Sequence, residues 1–385
     1  VAQVQEAVRR AAAEGLGVCP VGGGVSLDYG EAPSRPGVAL EMTGLDRVVD
    51  YPVDDLTLTV EAGVTIGAIQ ALLAPNRQRL AIDAPMPDRA TIGGVIATQF
   101  AGPRRLGWGR PRDQIIGVHF VAADGRAIKG GGQVVKNAAG YDFPRLLTGS
   151  MGTLGVITSV ALKVRPMTEA TAIAWIGIDD PAQIPERLDG LAKSRVRPSA
   201  VELLNGPAAR AIGGQTLPAD HAWVVAVGIE DNATSVQWQV RQLRDEIGAE
   251  FEVVEGEQAE AVWAALRDHP ETAEGVIGLV ANVRPSRVAE FVQGLEPRIG
   301  CVQAHAGNGI VRAWVSDGAL VAALRKAAVA AGGNLVLSRA PVEVKTVLGV
   351  WGQPRADWPL MERIRQAFDP DGMLNPGRFL PRLGG

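Results

Sequence analysis

Cysteine and histidine are scarce in this 385-residue chain: Cys19 and Cys301, and histidines at 119, 221, 269 and 305. Two thiols so far apart make no disulfide framework. A conventional iron–sulfur cluster takes about four cysteine ligands, so any such cluster belongs to another chain. Four scattered histidines argue against a multi-histidine metal centre, and no metal site is expected. No apolar run approaches the roughly 18 residues of a spanning helix, and the first residues lack the pattern of a signal peptide. The expectation is a cytoplasmic protein, peripheral to the inner face of the membrane at most, and then through partners. With 38 basic against 42 acidic residues and a net charge of −4, there is no broad electrostatic footprint for nucleic acid. There is no G-x-x-x-x-G-K-[ST], no G-x-S-x-G and no H-E-x-x-H. Pro20 stands where a Rossmann fingerprint opening at Gly15 needs its third glycine.

Glycine is what the chain has in excess, 47 residues beside 25 prolines, in a sequence 46% hydrophobic. A chain this apolar buries enough surface to fold, and its length suits two domains. Before Pro166 the pattern gives a helix over 3–14 and strands over 18–21, 38–42, 56–61 and 115–122. Asp124-Gly125 is a hairpin signal, and Thr65 can cap a short helix through Leu73. A loop-like stretch runs over 83–94, a short helix over 142–148 and a strand over 155–164. After Pro166 the glycine clusters thin out. Strands over 223–229, 275–283, 311–315 and 335–337 alternate with helices over 235–247, 259–267, 318–331 and 358–368. This is an α+β chain, with an antiparallel sheet backed by helices in its second part. The boundary falls at 166–171, giving domains 1–166 and 167–385.

Three glycine clusters carry the chemistry. Val21-Gly22-Gly23-Gly24-Val25-Ser26 follows a strand, and consecutive glycines let backbone N–H groups turn inward as an anion nest; taken alone, it equally reads as a flexible turn. Thr91-Ile92-Gly93-Gly94, leading to Ala97 and Thr98, permits close backbone approach by a ligand. Lys136 opens the third, where glycines 149, 152 and 155 precede the strand through Ile157 and form a tight entrance.

In this order and spacing the three clusters resemble the FAD-binding domain of the vanillyl-alcohol oxidase/p-cresol methylhydroxylase family. Within it they are most similar to the FAD-binding (E) subunits of bacterial glycolate oxidases. The segments carrying the resemblance are PVGGGVS, TVEAGVTIGAIQALL, DAPMPDRATIGGVIAT, GPRR with RDQIIG, VVKNAAGYDFPRLLTGSMGTLGVIT and the tail FDPDGMLNPGRF. The resemblance implies FAD in an elongated slot between two α/β subdomains. It places the diphosphate on Val21–Ser26 and on the loop of Pro85, Thr91, Ile92, Gly93 and Gly94, with Gly152–Ile157 at the adenine end. It also places Asn375 near the isoalloxazine, on a tail returning from the second domain. Some relatives attach FAD through a His or Cys in the glycine loop; Val25 stands there in this chain, so attachment is expected to be non-covalent. Gln99 stands where relatives often carry Asn.

Oxidising a 2-hydroxy acid needs a base for the hydroxyl proton and a cation on the carboxylate, best a bidentate arginine. Catalytic relatives carry an H-x-G-D-G-N-x-H pattern; this chain has His305-Ala306-Gly307-Asn308-Gly309-Ile310-Val311-Arg312. His305 is therefore either a residual base or a structural histidine. Arg339 and Lys345 are either carboxylate grips or ordinary charges bordering the core. Arg104, Arg105, Arg110 and Arg112 form either a solvated loop or a contact for phosphate or an acidic partner. The resemblance implies the FAD-binding subunit of a glycolate oxidase-like 2-hydroxy-acid dehydrogenase complex. Its partners would be a homologous catalytic flavoprotein and an iron–sulfur subunit. The alternatives are a self-sufficient 2-hydroxy-acid oxidoreductase and a scaffold that kept the fold without FAD.

Overall fold

The computed structural model describes residues 1–132, 140–248, 250–295 and 299–379. Its contacts divide the chain into two units: Val1–Ala101 with Arg110–Met167 and Pro354 onward, and Gly102–Gly109 with Thr168–Gln353. The C-terminal tail thus packs with the N-terminal part of the chain.

The first unit has two small cores. In one, strands Gly17–Val21 and Gly37–Glu41 pair in parallel. They bury Val18 and Met42 against Val4, Val8 and Ala11 of helix Ala2–Ala13 and against Met373 and Leu374 of the tail. In the other, an antiparallel five-stranded sheet runs in the order Val48–Asp50, Thr57–Glu61, Val156–Lys163, Ile115–Val121, Ala127–Gly131. Helix Ile66–Leu73 packs its Ile66, Ile69 and Leu73 on this sheet, and Thr65 Oγ1 accepts the N–H of Ala68 at 3.2 Å as its cap. The glycine-rich stretch before Val95 does not stay a loop. Thr91 caps a helix over Ile92–Thr98, because the apolar spacing of Ile92, Val95 and Ile96 fits one buried helical face.

The tail is fixed by backbone pairing. Val18 N–H donates to Met373 O at 2.7 Å, and Asn375 N–H donates back to Val18 O at 2.8 Å. Buried Asp369 accepts the N–H groups of Met373 and Leu374 at 2.9 and 2.7 Å. Burial, the largest influence, raises its carboxyl pKa above the usual range, with those two hydrogen bonds pulling it down.

The second unit is one eight-stranded antiparallel sheet. Its order is Glu252–Glu255, Ala170–Ile178, Trp223–Asp231, Ala200–Asn205, Val302–His305, Ile310–Val315, Ile277–Asn282, Asn334–Arg339. Helices Gly206–Gly213 and Gly256–Thr272 bury Ala208, Ala209, Val262, Trp263 and Leu266 in its apolar core. Strands Ala170–Ile178, Ala200–Asn205 and Val302–His305 have no counterpart in the sequence reading. All three are buried almost throughout, so the period-two alternation that marks a half-exposed strand is missing.

Candidate functional site

The glycines of the first unit are there because chain meets chain. A Cβ on Gly22 would be driven into Thr91 Oγ1, and one on Gly23 into the carbonyl of Arg89. The loop after strand Gly17–Val21 and the loop before helix Ile92–Thr98 therefore lie backbone to backbone. Gly93 closes on Ala62 in the same way, its Cβ position 2.9 Å from the Ala62 methyl. Gly24 differs: it has φ +74°, and nothing crowds its Cβ position within 3.4 Å, so glycine serves the left-handed backbone there.

Between these loops lies a cleft open to solvent, with about 1010 Å³ of empty space. Val21, Gly22, Gly23, Gly24, Val25 and Ser26 line one wall; Pro85, Thr91, Gly93, Gly94, Ala97 and Thr98 line another; Gly152, Gly155, Ile157 and Asn375 complete it. Ile92 is the exception among the cofactor candidates described. Its side chain is fully buried in the core behind the cleft, since the first residue of that helix points inward. Lys136 lies outside the described residues. Cys19, Leu27, Met42, Val95, Phe100, Met151 and Arg378 also line the cleft; none was singled out from the sequence.

The two glycine loops are not equivalent donors. No protein acceptor among the described residues meets the N–H groups of Gly22 to Ser26, which remain available to a ligand. In the second loop, Ala90 N–H bonds Met86 O at 2.8 Å, Ile92 bonds Val64 O at 2.9 Å and Gly93 bonds Ala62 O at 2.9 Å. Gly94 N–H reaches its own cap, Thr91 Oγ1, at 3.4 Å. Most amides from Ala90 to Gly94 are thus taken, with the Thr91 N–H the one for which no acceptor is found among the described residues. Asn375 Nδ2 donates to Met151 O at 2.7 Å and lies 2.5 Å from the Cβ position of Gly152. Gly152 and Asn375 are therefore neighbours on the cleft wall.

This donor set suits a dinucleotide with a diphosphate bridge. Unpaired amides of a nest accept an anion, and the apolar walls at Met42, Val95, Phe100 and Ile157 suit flat rings. Among the described residues no histidine lines the cleft, and the one thiol there, Cys19, has its pKa raised by burial, with Arg378 pulling the other way. Thiolate, the form that attacks, is disfavoured at that position.

The catalytic candidates belong to the second unit. His305 is buried at 1% exposure, opposite Glu202 in the sheet register. Its Nδ1 lies 2.7 and 2.8 Å from the two Glu202 carboxylate oxygens. Gln303 Nε2 donates to Glu202 Oε2 at 2.9 Å and to Leu266 O at 3.0 Å. A carboxylate can only accept, so Nδ1 carries the hydrogen, and Nε2 has no partner among the described residues. Glu202, which carries this arrangement, was not singled out from the sequence; a lone Glu in an apolar strand gives no local signal. Arg339 is engaged, its Nη2 donating to Glu271 Oε2 at 3.1 Å and Glu271 O at 3.3 Å. Lys345 is buried within a helix of the same unit.

The arginine-rich segment separates. Arg104 is buried in the second unit, 3.3 Å from both Glu230 and Glu260, with its guanidinium over Trp108 and Trp263. It is a packed ion pair, not a free phosphate contact. Arg112 lies 3.7 Å from Asp113, and the N–H of Arg110 is capped by Asp113 at 2.9 Å. Among the described residues no helix is long and apolar enough to cross a membrane.

Comparison with known proteins agrees with this geometry. The family described as FAD binding domain matches residues 1–131, and the family of FAD linked oxidases, C-terminal domain, matches 167–309 and 352–379. Glycolate oxidase subunit GlcD of Bacillus subtilis is 26% identical over 414 residues, covering 95% of this chain and 84% of the relative. Glycolate oxidase subunit GlcE of Escherichia coli is 26% identical, covering 87% and 85%. The mitochondrial D-lactate dehydrogenase [cytochrome] of Arabidopsis thaliana is 26% identical, covering 94% and 69%. In fold, p-cresol methylhydroxylase with substrate bound superposes with a TM-score of 0.73 at 16% identity, over 98% of this chain and 86% of that one. The chain consists of an FAD binding domain followed by the C-terminal domain of the FAD linked oxidases, in the fold of p-cresol methylhydroxylase.

Proposed function

We propose that this protein is the FAD-binding subunit of a glycolate oxidase-like complex that oxidises a small 2-hydroxy acid, glycolate to glyoxylate, and passes the electrons to a separate acceptor. Turning CH–OH into C=O releases two electrons and two protons. Non-covalent FAD would be held by the amides of Gly22 to Ser26 and by the apolar cleft walls, and it supplies the two-electron redox chemistry that no side chain provides. The observation carrying the subunit role is that the candidate carboxylate grip is already engaged: Arg339 is paired with Glu271. A homologous catalytic flavoprotein and an iron–sulfur subunit are the partners this reading requires, because two cysteines cannot ligate a cluster here. Similarity to glycolate oxidase subunits and to a D-lactate dehydrogenase supports the 2-hydroxy-acid class.

One observation favours a second reading, a self-sufficient oxidoreductase. Glu202 accepts from His305 Nδ1, and Nε2 has no partner among the described residues. A histidine oriented by a carboxylate, with its second nitrogen unengaged, is the arrangement a general base uses. Anaerobic mixing of the FAD-loaded chain with glycolate or D-lactate separates the two. Under the subunit reading the flavin absorbance near 450 nm stays until the partner flavoprotein is added. Bleaching by the chain alone, abolished by His305→Ala, would establish the second reading.

A further inference from the structure

The cleft holds a cation from the tail segment FDPDGMLNPGRF whose role the sequence does not reveal. Arg378, on the C-terminal tail, is half-buried and lines the cleft beside the glycine loop. Its Nη2 donates to Ser26 O at 2.7 Å and to Leu27 O at 2.8 Å. Guanidinium offers five N–H donors; both bonds leave from Nη2, and among the described residues Nε and Nη1 have no partner. No carboxylate among those residues forms an ion pair with it, and Asp28 acts on it at longer range. Burial pulls its pKa below the ordinary arginine value, with Cys19 and Asp28 opposing. A half-buried cation whose protein partners are carbonyls alone gains from an anion that joins it.

The position of Arg378 is fixed from several sides. Its own N–H donates to Asn375 O at 3.1 Å, and its carbonyl accepts the N–H of Glu31 at 3.0 Å. Arg89 Nη2 also holds the loop, donating to Gly23 O at 3.2 Å. In a trans peptide the carbonyl and the following N–H point in opposite directions, so holding Gly23 O directs the Gly24 N–H away from Arg89. The two arginines grip carbonyls of the loop whose amides are unpaired.

We propose that Arg378 is the cationic partner of the cofactor's diphosphate, so that docking of the C-terminal tail completes the FAD site. The loop amides supply directional donors, and the tail supplies the full charge. Arg378 is thereby a binding residue for FAD as well as an anchor of the loop.

The test compares full-length wild type, Arg378→Gln and Arg378→Lys, each stripped of flavin. Three readouts are taken: FAD Kd by fluorescence titration, melting temperature of the flavin-free protein, and 31P resonances of bound FAD at saturation. The expected result is an FAD Kd at least tenfold weaker in Arg378→Gln, a flavin-free melting temperature within a few degrees of wild type, and shifted diphosphate resonances in Arg378→Lys. An FAD Kd in Arg378→Gln within twofold of wild type overturns the proposal while leaving FAD binding intact. So do wild-type 31P positions in Arg378→Lys, which would make the arginine a loop anchor alone. If wild type itself fails to bind FAD, the cofactor assignment falls, and this proposal with it.

Discussion

Gly23 and Gly24 are neighbours in the cofactor loop, yet they answer differently to a methyl group. At Gly23 the Cβ position is filled by the Arg89 carbonyl, and backbone cannot step aside as a flexible side chain would. Gly23→Ala is expected to cost the first unit about 3 kcal/mol and to abolish FAD binding. At Gly24 the only obstacle is φ +74°, so Gly24→Ala should cost about 1 kcal/mol and keep measurable FAD affinity. Chemical denaturation and FAD titration of the pair check this. Equal losses would mean that packing against Arg89 is not what requires glycine. His269 makes a second residue-scale prediction. Buried against Trp314 at 5.3 Å between ring centroids, it has its pKa lowered by desolvation from 6.5 to about 4. The unfolded chain binds a proton that the folded protein refuses. Its contribution to stability is therefore complete above about pH 6.5 and is lost as pH falls toward 4, by about 3 kcal/mol at the lower end. His269→Phe should remove that share of the slope in urea unfolding measured from pH 7 to 4; an unchanged slope contradicts the assignment.

At the scale of elements, the tail and the glycine loop act as a pair. Asp369 accepts two consecutive tail amides with its two carboxylate oxygens. Asp369→Asn places an NH2 against one of those N–H groups and should cost about 1–3 kcal/mol of tail docking. Hydrogen exchange at the Val18 and Asn375 amides, both bonded across the tail, should speed up while strand Val302–His305 keeps its protection. Unchanged exchange at Val18 would mean that the tail is held by other contacts. How much of this the sequence discloses depends on whether the signal is local. Thr65 and the Asp124-Gly125 turn are local, and the structure has the cap and the turn where the pattern puts them. Gln99 sits at φ +55° as the C-cap of helix Ile92–Thr98, a left-handed position where Asn is more at ease than Gln. The cleft walls were legible because glycine is scarce in ordinary elements and clustered here. The role of Arg378 was not, although it lies in the quoted tail segment: its partners lie 352 and 351 residues away in sequence. The same holds for Glu202, whose meaning comes only from the strand register that sets His305 opposite.

At the scale of the whole molecule, the chain is two units with separate cores, and every residue described as lining the cleft belongs to the first. Cofactor binding should therefore stabilise that unit by mass action, by about 2.7 kcal/mol at a hundredfold excess of FAD over Kd. A chain of two units need not melt in one step, so a scan with added FAD should move the first unit's transition more than the second's. The measurement closest to the central claim, that one glycine loop and a tail arginine together hold a diphosphate-bridged flavin, is titration of the freshly purified, flavin-free protein with FAD, followed by flavin fluorescence and visible absorbance. Saturation at one FAD per chain, with the colour released on unfolding and no flavin mass left on the denatured polypeptide, is the predicted result. A well-folded preparation that takes up no FAD at any concentration would contradict it.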